Sequence, residues 1–174
     1  MAILPIIIAP DPRLKVTSEP VGRVDGDARR LMDDMLETMY LAPGVGLSAI
    51  QVGVTKRLIV IDVARKGDDA MPLRLADPEI VAYSDEAVAM EEGCLSFPEH
   101  YAEVKRPGAV SLHYTDEHNQ QRELEADGLL ARCIQHEMDH LDGILLVDHL
   151  SAIKRGIIIR KLLKARKAKA LKSA

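Results

Sequence analysis

The 174-residue sequence predicts an α+β fold: antiparallel sheets packed around a buried helix, with an N-terminal helix and a C-terminal amphipathic helix at either end. Three observations carry that expectation. "DGDARRLMDDMLETMYLAP" (25–43) repeats apolar residues at helical spacing, whereas "RLIVIDV" (57–63) is a short β-branched run. "GLLARCIQHEMDHLDG" (128–143) is apolar on most sides of a helix, which calls for burial rather than a place on the surface.

From the beginning of the chain, "MAILPIIIAP" is too short for a membrane span and lacks a basic leader, and Pro5 and Pro10 interrupt it. It is expected to enter the fold as an edge strand. In the first helix Leu31, Met32, Met35, Leu36 and Met39 form the inward stripe, Asp25 or Asp27 caps its start, and "APGVG" stops it. "AVSLHYTD" and "QQRELEAD", separated by "EHNQ", alternate as a strand pair around a polar turn. In the buried helix, Asp127 is placed to cap the start and Gly143 to end it. A final helix over about 151–167 turns Ile153, Ile157, Ile158, Leu162 and Leu163 toward the body.

Composition narrows the class. With 47% apolar residues, no Trp and one Phe, aliphatic side chains fill the core of one domain spanning 1–174. Two cysteines, Cys94 and Cys133, make no disulfide framework and suit a reducing cytoplasm. Charge is unevenly distributed. From Lys154 to Ala174 there are nine Lys or Arg and no acid, so with the whole chain at −4 the remainder carries −13. Such a tail reads as a solvated basic helix, or as a contact with nucleic acid or the ribosome.

His136 and His140 lie four residues apart around Glu137. On a helix this spacing sets them about 40° apart and about 6 Å along the axis, so both rings can reach one ion. Glu137, off to one side of that face, is placed to reach a water there. Two buried histidines and a buried glutamate need partners, and a cation supplies one. Cys133 is about 10 Å along the axis from His140 and cannot join them; it reads as core or pocket wall. Cys94, preceded by Gly93 where backbone can come close to another group, is the third candidate ligand. Two imidazoles and one thiolate leave a tetrahedral ion with an open position. The rival reading makes Cys94 a nucleophile with His136 as its base, which leaves His140 and Glu137 without a role.

"GVGLSAIQ" (44–51), "EGCLS" (92–96) and "QHEMDH" (135–140), in this order and at these separations, resemble the three signature motifs of the peptide deformylases, and the likeness extends over nearly the whole chain. It implies an enzyme that removes the formyl group from the initiator methionine of nascent chains. By motif position it implies Cys94, His136 and His140 as metal ligands and Glu137 as acid/base, with Gln51 and the Leu95 amide as oxyanion donors. The implied cofactor is one divalent ion, Fe(II) first, with Zn(II), Ni(II) or Co(II) as substitutes. The substrate is an N-formylmethionyl peptide, held along the backbone of Gly44, Val45 and Gly46 and near Gly93. Met90, Leu129 and Cys133 are expected as walls of the methionine pocket, though each also reads as plain core. A basic C-terminal helix implies ribosome contact in some members. The chain is expected to act as a monomer, away from membranes.

Three residues depart from the family's pattern. Ser48 stands where alanine is usual, Phe97 is bulkier than the usual aliphatic, and Arg132 borders the expected pocket. Glu92 is read either as part of the site or as a structural partner of Arg106. A zinc endopeptidase shares the H-E-x-x-H spacing, but its third ligand is usually histidine or glutamate. A metal-stabilised binding protein would have no need of Gln51 and Glu137 together.

Overall fold

The computed structural model describes residues 2–64 and 68–172, with the side chain of Lys172 outside the description. Helix α1 (Gly26–Leu41) begins at Asp25, whose carboxylate accepts a hydrogen bond from the Ala28 N–H at 2.8 Å. Its inward stripe is Met32, Met35, Leu36 and Met39, all buried. Strands β1 (Gly46–Ser48), β2 (Leu58–Ile61), β3 (Leu73–Tyr83), β6 (Ala109–Thr115) and β7 (Gln121–Asp127) form one antiparallel sheet in the order β1-β2-β3-β6-β7. Strands β4 (Ala87–Gly93) and β5 (Tyr101–Pro107) pair separately as a hairpin. Helix α2 (Gly128–Leu141) packs against β1, β2, β5, β6 and β7. It is the buried helix the sequence called for, and the α+β class holds.

The expected β6–β7 pair forms in register from Ala109–Asp127 to Thr115–Gln121. Long β3 was harder to foresee because Asp77–Pro78 interrupts it. Asp77 has a φ of +49°, and the pairing with β6 shifts register on either side of the Glu79–Ile80 pair. The irregularity is held by two backbone donors, with Val21 N–H and Gly22 N–H reaching the Asp77 carboxylate at 2.7 and 2.8 Å.

Three expectations are corrected. The N-terminal segment is no strand: Ile7 and Ala9 each donate one hydrogen bond, to the Gln51 and Ser96 carbonyls, and prolines at 5 and 10 cannot extend a ladder. Asp127 occupies the N-cap position of α2 but makes no side-chain cap, whereas Gly143, at φ +73°, does mark its end. Helix α3 (Ala152–Lys172) runs longer than expected and docks through Leu162, Ile158 and Ile159, leaving Ile153, Ile157 and Leu163, which were expected to face the body, exposed. Ser173 and Ala174 of the basic tail lie outside the described residues.

Candidate metal centre

Helix α2 presents His136 and His140 on one face, with ring centroids 5.0 Å apart and planes at 70°. Cys94, just past the end of β4, completes a cluster in which one ligand atom from each residue lies within 4.8 Å of the others. Cys94 Sγ is 3.2 Å from His140 Nε2. The sequence expected these three together, and the fold brings them together across the 41 residues of chain between Cys94 and His136.

The donors fit a cation. His136 Nδ1 lies 3.1 Å from Glu92 Oε2, which fixes the ring and frees Nε2 for the cluster. Burial alone would hold the His136 pKa down, but Cys94 and Glu92 outweigh it and hold it well above the ordinary value. The pocket between them therefore favours positive charge. His140, deeper and next to His136, is pushed the other way by burial and by that neighbour, and so offers a neutral ring. One thiolate with two imidazoles is a donor set that suits several first-row divalent ions.

Glu92 is where sequence reading fell short. The expected pairing with Arg106 is present, Nε to Oε1 at 2.7 Å and Nη2 to Oε2 at 3.1 Å. The same carboxylate also accepts from Arg132 Nη1 at 2.6 Å and supports His136. Burial opposes its charge, yet His136 and Arg106 hold its pKa down at about 2. Arg132 does not reach freely into a methionine pocket. Its guanidinium also donates to Val104 O at 3.0 Å and Val88 O at 2.7 Å, fastening both strands of the β4–β5 hairpin to α2. Asp139, expected to make a structural bond, accepts from Arg106 Nη1 at 2.8 Å and pairs with His149 at 2.7 Å.

Glu137 is 4% exposed, and no hydrogen bond reaches its Oε2. Burial pushes its carboxyl up to about 7, with His136, Ser48 and Arg106 pulling the other way. Gln51 follows β1 on a 3-10 turn (Ala49–Val52), and its Nε2 donates to Ser96 Oγ at 3.1 Å and Cys94 Sγ at 3.7 Å.

Cys94, His136 and Glu137 floor a cleft of about 460 Å³, with Gln51 and His140 buried behind its lining. Gly44, Val45, Gly46, Gly93, Leu95, Leu129 and Cys133 line it. Cys133 is at once wall and core: its Sγ is 3.6 Å from Val45 O, and burial raises its thiol pKa. Met90 is a correction. It is 41% exposed and outside the lining, because β4 enters the cleft only with its last three residues, Glu91 to Gly93. Phe97, 1% exposed, packs into the core under the rim and also touches the cleft.

A buried H-E-x-x-H helix, a cysteine just past the end of β4 and a carboxyl raised to about 7, gathered at one cleft, make the arrangement of a metallohydrolase. The model of the polypeptide deformylase family matches residues 3–156, and the chain belongs to that family. It is 51% identical over 173 residues to the peptide deformylase of Rhizobium meliloti (strain 1021), covering 99% of both chains. Among solved structures it is similar to the peptide deformylase of Ehrlichia chaffeensis, at 39% identity and a TM-score of 0.93 over 97% of this chain and 99% of that one. It is likewise similar to that organism's deformylase in complex with actinonin, at 41% identity and a TM-score of 0.91 over 95% and 98%. It is an enzyme of this kind, removing the N-formyl group from nascent peptides.

Proposed function

We propose that the chain hydrolyses the formamide of an initiator formyl-methionine, releasing formate, with Cys94, His136 and His140 as ligands to one divalent ion and Fe(II) as its native occupant. The observation that carries this is the convergence of those three donors within 4.8 Å of one another, beside a buried carboxyl. A divalent ion bound there supplies Lewis acidity toward water and toward the formyl oxygen.

The protein's own groups do the rest. Glu137, with its carboxyl near 7, takes a proton from the attacking water and passes it to the amine nitrogen as the C–N bond breaks. Gln51 Nε2 and the Leu95 N–H donate to the oxygen on which negative charge develops; one such donor is typically worth about 2.7–4 kcal/mol. Glu92 keeps the His136 ring oriented. The sheet's edge strand β1, with Gly44 and Val45 before it, gives the substrate backbone a place to lie in the cleft. Leu129 and Cys133 provide apolar wall for the methionine side chain.

The whole chain acts as one catalytic unit and as a monomer, in the cytoplasm and during translation. No helix among the described residues is long and apolar enough to cross a membrane, which is compatible with that compartment. Exposed basic residues on α3, from Lys154 to Lys169, are suited to ribosomal RNA near the nascent chain. Truncation from about Arg160 should weaken ribosome co-sedimentation, with the full chain releasing as salt rises; equal binding at both salt levels would remove that contact.

The test is anaerobic purification followed by metal analysis and a formate-release assay on the same sample. Formate released from formyl-Met peptides without cleavage of the internal chain, in proportion to bound metal, is expected. Internal cleavage would instead favour an endopeptidase.

A further inference from the structure

Gln51 can serve an oxyanion only if its NH2 group, and not its oxygen, faces the cleft, and the structure shows what decides this. Gln51 Oε1 accepts two hydrogen bonds from one residue, from Ser48 N–H at 2.9 Å and from Ser48 Oγ at 2.9 Å. A backbone N–H can only donate, so a flipped carboxamide would set donor against donor. With Oε1 held there, Nε2 must point to Ser96 Oγ and Cys94 Sγ.

Ser48 is 0% exposed and Gln51 1%, so water does not compete for either bond. Ser48 also shares a face of β1 with Gly46. That face meets α2, since a Cβ built on Gly46 would lie 2.7 Å from Glu137 Oε1. The hydroxyl thus stands between Gln51 and the helix that carries Glu137, with its one proton given to Gln51 Oε1.

We propose that Ser48 is a positioning residue for turnover: its hydroxyl, added to its backbone N–H, locks the Gln51 carboxamide with its NH2 group aimed at the Cys94 side of the cleft. The inference rests on the deformylase reading of the site. An alanine at 48 keeps the N–H but loses the second clamp, so the amide samples orientations in which its donor no longer meets the developing charge.

Ser48→Ala and Ser48→Cys, the latter close in volume but with a weak donor, are compared with the unaltered protein after loading with Co(II). Both variants should lose about 3- to 10-fold in kcat, with KM within about twofold and one cobalt per chain retained. A second readout needs no turnover. The Gln51 N–H to Cys94 Sγ contact lowers the energy of the thiolate electrons, so loosening it should move the sulfur-to-cobalt charge-transfer band to longer wavelength in both variants. Unchanged kcat with an unmoved band overturns the proposal, as does a loss of rate that only follows loss of metal or of folded protein. If the unaltered protein releases no formate, the reading of the activity fails, while the band still decides what Ser48 does.

Discussion

At the scale of single residues, the site turns on two carboxylates with opposite environments. At Glu137 burial outweighs the pull of His136, Ser48 and Arg106 and raises the carboxyl to about 7, which suits it to exchange a proton near neutral pH. Glu92 has two arginines and a histidine, and it stays ionised. Replacing Glu137 with Gln should leave the metal content intact and lower kcat by at least about 10²-fold in the formate-release assay; unaltered turnover would remove it from the mechanism. Glu92→Ala should act differently. Metal affinity, read by competition with a chelator, should fall by about 10- to 100-fold as His136 loses its support. Urea denaturation should also show a loss of about 3–5 kcal/mol, because buried Arg132 loses its counter-charge and buried Arg106 keeps only Asp139.

At the scale of elements, the close approach of α2 to β1 sets the distance between base and cleft. A Cβ on Gly46 would fall 2.6 Å from Cys133 Sγ and 2.7 Å from Glu137 Oε1, so only glycine allows the helix this near. Gly46→Ala should therefore cut kcat/KM by at least about 10²-fold, even in protein that still folds and binds metal. The β6–β7 turn offers a test by pH. Burial of Asp116 works against its charge, but Gln120 N–H, Arg122 Nε and His118 N–H outweigh it and hold its pKa below 3.8. A lowered carboxylate stabilises the fold above its unfolded pKa, and that contribution is lost as pH falls through the folded value. In urea melts from pH 5 down to pH 2, stability should fall below about pH 3.8, more shallowly in Asp116→Asn.

The same elements show what the sequence could and could not convey. Helix α1 was legible because only one of its faces is buried, so its methionine stripe stands out. Helix α2 was legible by the opposite sign, apolar residues almost all round. The ligands His136 and His140 are a local pattern, whereas Cys94 had to be argued from Gly93 and from family resemblance. Arg132 was not legible: its place on the helix says which way it leaves the axis, but its acceptors Glu92, Val88 O and Val104 O come from two distant strands. Met90 was misplaced because apolar character alone does not tell where along β4 the cleft begins.

At the scale of the molecule, the cleft joins parts that no single element could bring together: the turn between α1 and β1 with the start of β1, the β4–β5 hairpin, and α2 itself. An ion held by donors from both the hairpin and α2 ties these parts to each other. Chelation should therefore lower the thermal midpoint, since metal free at about 1,000 times its Kd contributes about 4.1 kcal/mol to the folded state. Differential scanning calorimetry of stripped and reloaded protein measures this directly; identical midpoints would mean that the ion is not bound by the folded chain.

The central claim is that one thiolate and two imidazoles hold the catalytic ion. X-ray absorption at the metal edge of anaerobically purified, formate-releasing protein tests it most directly. One sulfur, at about 2.3 Å if the ion is zinc, and two imidazole nitrogens at about 2.0–2.1 Å are expected in its coordination shell. A spectrum from active protein with no sulfur in the coordination shell would contradict it.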